Sequence, residues 1–205
     1  MTSLALKQTI AAFAVEHQVL APELSQSLED KETIAAGLLL CLSFLVGQTI
    51  ADLQIEQLDR IYPAGRNQGL IDFKIICRLS SDLQVNLGVC VLSSPDFEVV
   101  SEACLRLLAY KDFGLDRLCL LRPGDLMTKV SQLPICLPML LSADIGGHFI
   151  PLKSRDLLSI LTTLSVFRHK QQYQVTHEMI SEYLHQHEIL TKNQLIRGIL
   201  ATAKI

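Results

Sequence analysis

The 205-residue chain has few charged side chains. Asp, Glu, Lys and Arg together make up 19% of it, below the roughly 25% of an ordinary soluble domain. Hydrophobic residues account for 49%, and the mean hydropathy is +0.33. A chain of this length forms one large domain, or one domain with a small appendage. The charge deficit predicts extra buried surface, and we expect a homo-oligomeric interface to provide it.

The chain also lacks an excess of positive charge. Its formal net charge is −3, whereas proteins dedicated to nucleic acid usually carry a basic balance. The composition alone therefore gives nucleic-acid binding no support, and only a local basic patch leaves it open. The apolar segment Ile34–Val46 falls short of the roughly 20 residues that a bilayer requires. We interpret it as a buried helix and expect no membrane partner.

Paired cysteines of the C-x-x-C type are absent. Each cysteine lies inside an apolar run, and no histidine stands at ligand spacing from any of them. The six are Cys41, Cys77, Cys90, Cys104, Cys119 and Cys136. We expect buried free thiols and no zinc site. Lys7 is the only early basic residue, so the pattern of a signal peptide is not expected. These observations predict a cytoplasmic protein.

Several catalytic motifs are missing as well. The sequence contains no G-x-S-x-G nucleophile elbow, no phosphate-binding P-loop, no G-x-G-x-x-G and no H-E-x-x-H. These absences exclude the enzyme classes that depend on those motifs. Catalysis by a cysteine–histidine pair would need an exposed thiol of low pKa, and every cysteine stands in an apolar context.

Apolar periodicity, glycines and prolines divide the chain into expected elements. Helices are expected at residues 4–20, from Ser27 or Asp30 to about Asp59, at 97–111, at 154–169, at 176–188 and at 192–203. Strands are expected at 69–79, 83–92, 116–122 and 148–152. Thr191 and Gln194 have the spacing of a capping box at the start of the last helix.

The order of these elements predicts an α/β fold. A helix between two strands indicates a crossover, which favours at least one parallel strand pair. We therefore expect a small mixed β-sheet flanked by helices, followed by a C-terminal helical extension. The corresponding domain prediction is an α/β domain at residues 1–152, including the N-terminal helices. Residues 153–205 are the extension, packed on the same domain.

The most informative stretch is a β-hairpin at residues 69–92. Its first strand begins Gly69-Leu70-Ile71-Asp72, and its second strand follows the polar turn at residues 80–82. In the second strand, Gln84 and Asn86 share one face with Gly88 and Cys90, while the alternate residues are all aliphatic. The hairpin therefore carries an acidic residue near its start and polar positions on the same strand pair.

This arrangement resembles the restriction-endonuclease-like superfamily, the PD-(D/E)xK nucleases, over roughly residues 28–122. The resemblance implies that Asp72 is the first acid and a ligand of a divalent metal such as Mg²⁺. It implies an acid and a lysine, two residues apart, on the second strand. It also implies a glutamate from an upstream helix, for which Glu32 and Glu56 are the candidates. A metal held this way polarises phosphate and activates water.

The second strand departs from this pattern. The positions of the acid and the lysine hold Gln84 and Asn86, or Asn86 and Gly88, so neither a carboxylate nor an amine is present. One carboxylate with neutral amides is a poor magnesium site. The sequence therefore predicts a nuclease-like protein with a decayed metal site at Asp72, Gln84 and Asn86, acting in nucleic-acid binding or processing, with DNA as the expected nucleic acid. If it is active, it is a divalent-metal-dependent endonuclease with Mg²⁺ on Asp72.

Plainer interpretations stay open beside these. Asp72 is alternatively a strand-start carboxylate paired with Lys74, and Arg66–Gln68 are either phosphate contacts or ordinary turn residues. The alternative function is a cytoplasmic protein–protein interaction or assembly subunit with no nucleic-acid role. An open, basic groove at Asp72, Gln84 and Asn86 would favour nucleic acid. A face filled by apolar side chains would favour the assembly subunit.

Overall fold

The computed structural model describes residues 3–24, 28, 30–61, 69–123, 136–142 and 145–204. These residues form a six-stranded sheet and α-helices. The helices are α1 (Ser3–Leu20), α2 (Lys31–Ser43), α3 (Phe97–Leu107), α4 (Cys136–Leu140), α5 (Ser154–Arg168), α6 (His177–Gln186) and α7 (Gln194–Thr202). The strands are β1 (Thr49–Ile50), β2 (Leu53–Asp59), β3 (Phe73–Leu79), β4 (Gln84–Val91), β5 (Arg117–Pro123) and β6 (Gly147–Leu152). Within these residues, no helix has the length and apolar character needed to cross a bilayer.

The sheet is mixed and its strands lie in sequence order, β1 to β6. The pairs β1–β2, β2–β3 and β3–β4 are antiparallel, whereas the pairs β4–β5 and β5–β6 are parallel. The expected parallel pair is therefore confirmed, with α3 in the connection between β4 and β5. The predicted mixed α/β architecture is confirmed. The finer assignment to a restriction-endonuclease-like fold stays a prediction.

The predicted hairpin is present as β3 and β4. Phe73 lies opposite Val89 and Arg78 opposite Gln84. The turn between the strands contains Asp82 at φ 62°, a left-handed conformation that Asp tolerates better than most residues. Alternate residues of β3 are buried, which matches the period of two on which the prediction rested.

The prediction of one helix from Ser27 or Asp30 to about Asp59 is correct for its first half and wrong for its second half. Helix α2 ends at Ser43, and residues 49–59 form β1, a tight turn and β2. The turn residues Ala51 and Asp52 both have positive φ, 50° and 65°, as in the two-residue turns that join antiparallel strands. Leu53 and Ile55 are fully buried with a half-exposed residue between them, which is strand periodicity.

The chain divides by internal contacts into two compact units. A helical unit comprises Met1–Leu45 and Ser154–Arg197, and a sheet unit comprises Val46–Lys153 and Gly198–Ile205. This division groups the N-terminal helices with the later helices, whereas the domain prediction placed them with the sheet. The prediction of an α/β domain at 1–152 and an extension at 153–205 stays untested.

In the helical unit, α5 packs against both α1 and α2. A Cβ atom added at Gly37 would lie 3.0 Å from Cγ2 of Ile160, so the absence of a side chain lets α2 approach α5 closely. The two predicted C-terminal helices are confirmed as α6 and α7. The capping box at Thr191 is wrong, because Asn193 Oδ1 accepts from the N–H of Ile196 at 3.0 Å and caps α7 instead.

A buried carboxylate ties α1 to the end of α5. Glu16 Oε2 accepts from Ser165 Oγ at 2.6 Å, and Oε1 accepts from Tyr173 Oη at 2.8 Å and lies 2.9 Å from His169 Nδ1. Burial acts to raise the pKa of Glu16, but these hydrogen bonds together outweigh it, so the pKa lies below 4.5. The folded chain therefore favours the ionised form.

We expect Glu16→Gln to destabilise the fold at pH 7 by about 2 kcal/mol, because hydrogen bonds to a charged group are stronger than those to an amide. The lowered pKa means that the carboxylate stabilises the native chain above pH 4.5 and that this contribution is lost as pH falls through the folded-state pKa. Urea unfolding at a series of pH values measures both effects.

The exposed Glu32 provides the control, since Glu32→Gln removes a charge without removing a buried hydrogen-bond acceptor. This variant should keep the acid-side slope of the parent protein, whereas Glu16→Gln should flatten it. Equal slopes in the parent and in Glu16→Gln would contradict the structural role of the Glu16 carboxylate.

Candidate functional site

Asp72, the proposed first acid, immediately precedes β3 and is half-buried. Its backbone N–H donates to the carbonyl of Val89 at 2.9 Å. Its Oδ2 atom accepts from the backbone N–H of Val91 at 2.7 Å. The carboxylate therefore extends the hydrogen bonding between the two strands beyond the last pair of the ladder. A bond from a backbone N–H to an ionised carboxylate is among the stronger protein hydrogen bonds.

Gln84 and Asn86 do not meet Asp72. In the register of the hairpin, Gln84 lies opposite Arg78 and Asn86 opposite Ile76. Asp72 precedes Phe73 and so lies at the other end, four residues from Ile76 along the strand direction. At about 3.3 Å per residue this separation is about 13 Å. The three positions predicted to form the site share a sheet face but are not brought together.

Gln84 belongs instead to a polar cluster at the turn end of the hairpin. Its Nε2 atom donates to Glu56 Oε2 at 3.3 Å, and Arg78 Nε donates to Glu56 Oε1 at 2.5 Å. Glu56, a candidate for the upstream glutamate, thus lies on β2 and not on a helix. The other candidate, Glu32, lies on α2. The structure places Glu56 beside Gln84 but not beside Asp72.

Asn86 fastens the start of β5 to β4. Asp116 Oδ2 accepts from the backbone N–H of Asn86 at 2.8 Å and from its Nδ2 at 3.2 Å. The backbone N–H of Asp116 in turn donates to the carbonyl of Asn86 at 2.8 Å. These reciprocal bonds use the amide of Asn86 to align two parallel strands, which is a structural role.

The remaining positions on this face of β4 are closed by apolar packing. A Cβ atom built on Gly88 would lie only 2.5 Å from Cδ1 of Leu115. Cys90 is fully buried in the cluster that α3 forms over the sheet with Cys104 and Leu107. On this strand the two positions beside Asp72 are therefore a glycine and a buried cysteine in apolar surroundings, and neither supplies a carboxylate or an amine.

Basic side chains on the same face are neutralised by acidic neighbours. Lys74 Nζ lies 3.4 Å from Asp59 Oδ2. The sequence had offered Asp72 as the partner of Lys74, and the observed ion pair is with Asp59 instead. Arg78 pairs with Glu56. In the described ranges, no three His, Cys, Asp or Glu side chains cluster so as to hold a metal ion. Arg66–Gln68, the candidate phosphate contacts, lie outside the described residues.

Sequence reasoning missed a buried cation at the end of β5. Arg122 is only 4% exposed, and its Nη1 atom donates to the carbonyls of Leu92 and Ser94, each at 3.1 Å. Burial lowers the pKa of the guanidinium. Its Nε atom has no hydrogen-bond partner among the described residues. The only sequence signal is an arginine that interrupts the apolar run of β5.

The five cysteines whose side chains the structure describes are unsuited to nucleophilic chemistry. Five of them have described side chains, and all five are free and buried, as predicted; they are Cys41, Cys77, Cys90, Cys104 and Cys119. Burial raises the pKa of Cys41, Cys77 and Cys119 to about 12 each. A thiol with so high a pKa is protonated at neutral pH and reacts slowly. The side chain of Cys136 lies outside the described residues.

Comparisons with family models, with curated proteins and with solved structures give no match to this chain. The resemblance to the restriction-endonuclease-like superfamily therefore stays a prediction from the sequence, which these comparisons neither support nor refute.

We expect Asp72→Ala to destabilise the protein by about 1–3 kcal/mol, because the backbone N–H of Val91 loses its acceptor in a half-buried position. Asp72→Asn retains a side-chain oxygen and should lose less. Asp59→Asn, at a half-exposed ion pair with Lys74, should change stability by under about 1 kcal/mol. Denaturant midpoints measure all three.

The parent protein and Asp72→Asn also test whether Asp72 binds a divalent metal ion. Addition of Mg²⁺ or Mn²⁺ should leave the midpoints of the parent and of Asp72→Asn unchanged, because a ligand that binds only the native state would raise them. A midpoint that Mg²⁺ raises in the parent, but not in Asp72→Asn, would restore Asp72 as a metal ligand.

Proposed function

We propose that this chain is a non-catalytic assembly subunit that associates with a further copy of itself through α1. The observation that carries the proposal is an exposed, uncharged stripe along that helix, formed by Leu4, Ala11, Val15 and Val19. Leu4 is 68% exposed, Val15 46% and Val19 55%. Phe13, on the opposite side of the helix, is buried, and so are Ala12 and Glu16 along one edge of the stripe.

The spacing of the stripe is that of a helix–helix seam. Leu4, Ala11 and Val15 stand at intervals of seven and four, and Gln8 lies between the first two. Residues at these intervals share one face of a helix, and two such faces interlock when helices pair. The stripe extends over 16 residues, or about 24 Å at 1.5 Å per residue. Its length suits a partner helix better than a small ligand.

The charge pattern favours a second copy as the partner. Neither Asp, Glu, Lys nor Arg occurs at positions 4, 8, 11, 15 or 19, so two copies meet without repulsion between like charges. A self-complementary patch is what a two-fold dimer requires. The proposed interface also accounts for the low proportion of charged residues in the chain, 19%, since interface cores are depleted of charge.

The hairpin supports a non-catalytic role. At Gly88 and Cys90, the part of the β4 face beside Asp72 is packed with apolar atoms, including those of Leu115, and the carboxylate of Asp72 accepts a hydrogen bond from the backbone N–H of Val91. Gln84 and Asn86 are hydrogen-bonded to Glu56 and Asp116, so the support for an assembly subunit comes from the apolar packing at Gly88 and Cys90 alone. A cytoplasmic location belongs to the same proposal, and the free buried thiols support it.

Nucleic-acid binding by a nuclease-like protein is the competing proposal, since the hairpin at Asp72, α3 and β5 follow one another in the order on which the sequence resemblance rests. The paired state of Lys74 and Arg78 argues against a basic groove there. Binding of duplex DNA with an affinity that falls steeply with added salt would favour the competing proposal. Cleavage of plasmid DNA with Mn²⁺, lost in Asp72→Ala, would establish an active endonuclease.

We expect the parent protein to sediment as a dimer at micromolar concentration and Val15→Lys to weaken the dimer at least about ten-fold, because each interface would receive two buried like charges. Sedimentation equilibrium measures the dissociation constant. The side chain of Val15 is half-exposed in a single chain, so the variant should still fold.

Val99→Lys on α3 is the matched control, since Val99 is 52% exposed but lies outside the stripe. It should leave the dissociation constant unchanged. A parent protein that remains monomeric at about 100 µM, or a dimer that both variants weaken equally, would overturn the proposed interface.

A further inference from the structure

The helical unit contains a cleft of about 450 Å³ between α1, α5 and the end of α6. Ala14 and Gln18 line it from α1, and both are exposed. At 3.6 residues per turn, these two residues lie within about 60° of Ala11 on the surface of the helix. The cleft and the α1 stripe are therefore neighbouring parts of one exposed side of α1.

The lining of the cleft suits an aliphatic side chain. Two of the lining residues, Phe13 and Tyr183, stack on each other with ring centroids 4.4 Å apart, and the ring of His187 lies 4.5 Å from that of Tyr183. These rings therefore pack against one another within the unit. Neither Lys, Arg, Asp nor Glu lines the cleft, so a charged group would lose hydration there without gaining a counter-charge. An aliphatic group needs neither a ring face nor a counter-charge.

Leu4 is the apolar side chain of α1 that gains most from such a pocket. It is 68% exposed, and no other large hydrophobic side chain among the described residues is exposed to that extent. A leucine-sized cavity in a protein core measures about 150 Å³, so the cleft has room for this side chain. Leu4 cannot fill the cleft of its own chain, because Ala14 lies ten residues further along α1, or about 15 Å at 1.5 Å per residue.

The positions of Leu4, Ala11 and Gln18 on α1 allow a second copy to supply the leucine. They stand seven residues apart, so they lie nearly on one line along the helix, and Ala11 is about 10.5 Å from each of the others. When two α1 helices run antiparallel with Ala11 facing Ala11, a two-fold axis places Leu4 of each copy opposite Gln18 of the other. The small side chain of Ala11 lets the helices approach closely at that point, since the distance between packed helices depends on the side chains at the contact.

We propose that two α1 helices pair antiparallel and cross at Ala11, and that Leu4 of each copy enters the cleft of the other copy beside Ala14 and Gln18. This inference rests on the proposed assembly through α1, and it adds the orientation of the two helices and the pocket that receives Leu4. A parallel pair would place Leu4 beside Leu4, about 15 Å from Ala14 at 1.5 Å per residue, and would leave both clefts without an occupant from α1.

Disulfide cross-linking tests the orientation. Full-length protein carrying Leu4→Cys is mixed with protein carrying Gln18→Cys and oxidised with diamide. We expect a covalent dimer, because the Cα atoms of the two new cysteines come within the roughly 7 Å that a disulfide allows. Either variant alone should give no more covalent dimer than the parent, since its two engineered thiols stand about 21 Å apart along the helices. Both altered side chains are exposed in a single chain, so the variants should fold.

Leu4→Ala tests the pocket. It should raise the dissociation constant of the dimer at least about thirty-fold in sedimentation equilibrium, because each dimer loses two buried leucine side chains. The denaturant midpoint of the monomer should stay unchanged, since Leu4 is exposed there. Leu83→Ala is the matched control, because Leu83 is 58% exposed but lies outside α1; it should leave the dissociation constant unchanged.

The outcomes separate this inference from the assembly on which it rests. A parent protein that sediments as a dimer while Leu4→Cys cross-links to itself, or fails to cross-link to Gln18→Cys, would overturn the antiparallel arrangement and leave the α1 dimer standing. A dimer that Leu4→Ala weakens no more than Leu83→Ala does would overturn the pocket. A parent protein that is monomeric at about 100 µM would overturn the assembly itself.

Discussion

The absence of a side chain at Gly88 is the constraint on which the sheet unit depends. Gly88 lies opposite Lys74 on one side and Leu118 on the other, and Leu115 occupies the space above it. Leu115 belongs to the buried cluster that also holds Cys90 of β4 and Cys104 and Leu107 of α3. A nuclease site at this place would need a charged side chain where the fold needs none. The hairpin can therefore keep its topology without the acid and the lysine of a nuclease metal site.

The sequence predicted the hairpin, α3 and β5 because each has a clean local period and is bounded by Gly, Pro or Asp. It failed at residues 49–59 for a physical reason. The pairing of β2 with β3 shifts register between Ile55 and Gln57, so the alternation of buried and exposed residues breaks off after three positions. What remains is a short stretch with Glu56, Gln57 and Asp59, whose types are also common in an exposed helix.

Site geometry was less predictable than the fold, because it depends on contacts between distant residues. Local spacing put Asp72, Gln84 and Asn86 on one face, and that is correct for the alternation of the strands. Their separation follows only from the register of β3 with β4. The partner of Asp72 is 19 residues away and that of Arg122 is 30. No periodicity in the sequence specifies such pairs, so neither structural role was visible from it.

Glu16 and Arg122 are buried charged residues, and both have a structural role. Glu16 has three hydrogen-bonding partners and a lowered pKa, so its charge is well compensated. Arg122 Nη1 donates to the backbone carbonyls of Leu92 and Ser94, and these bonds hold the segment after β4. Because its Nε has no hydrogen-bond partner among the described residues, the charge of Arg122 is less well compensated than that of Glu16. Both groups serve packing within a single unit. Among the described residues, the outer stripe of α1 is an apolar surface to which no internal contact assigns a role. A helix that is apolar on more than one side requires more than one neighbour, so α1 is where this chain has most to gain from a partner.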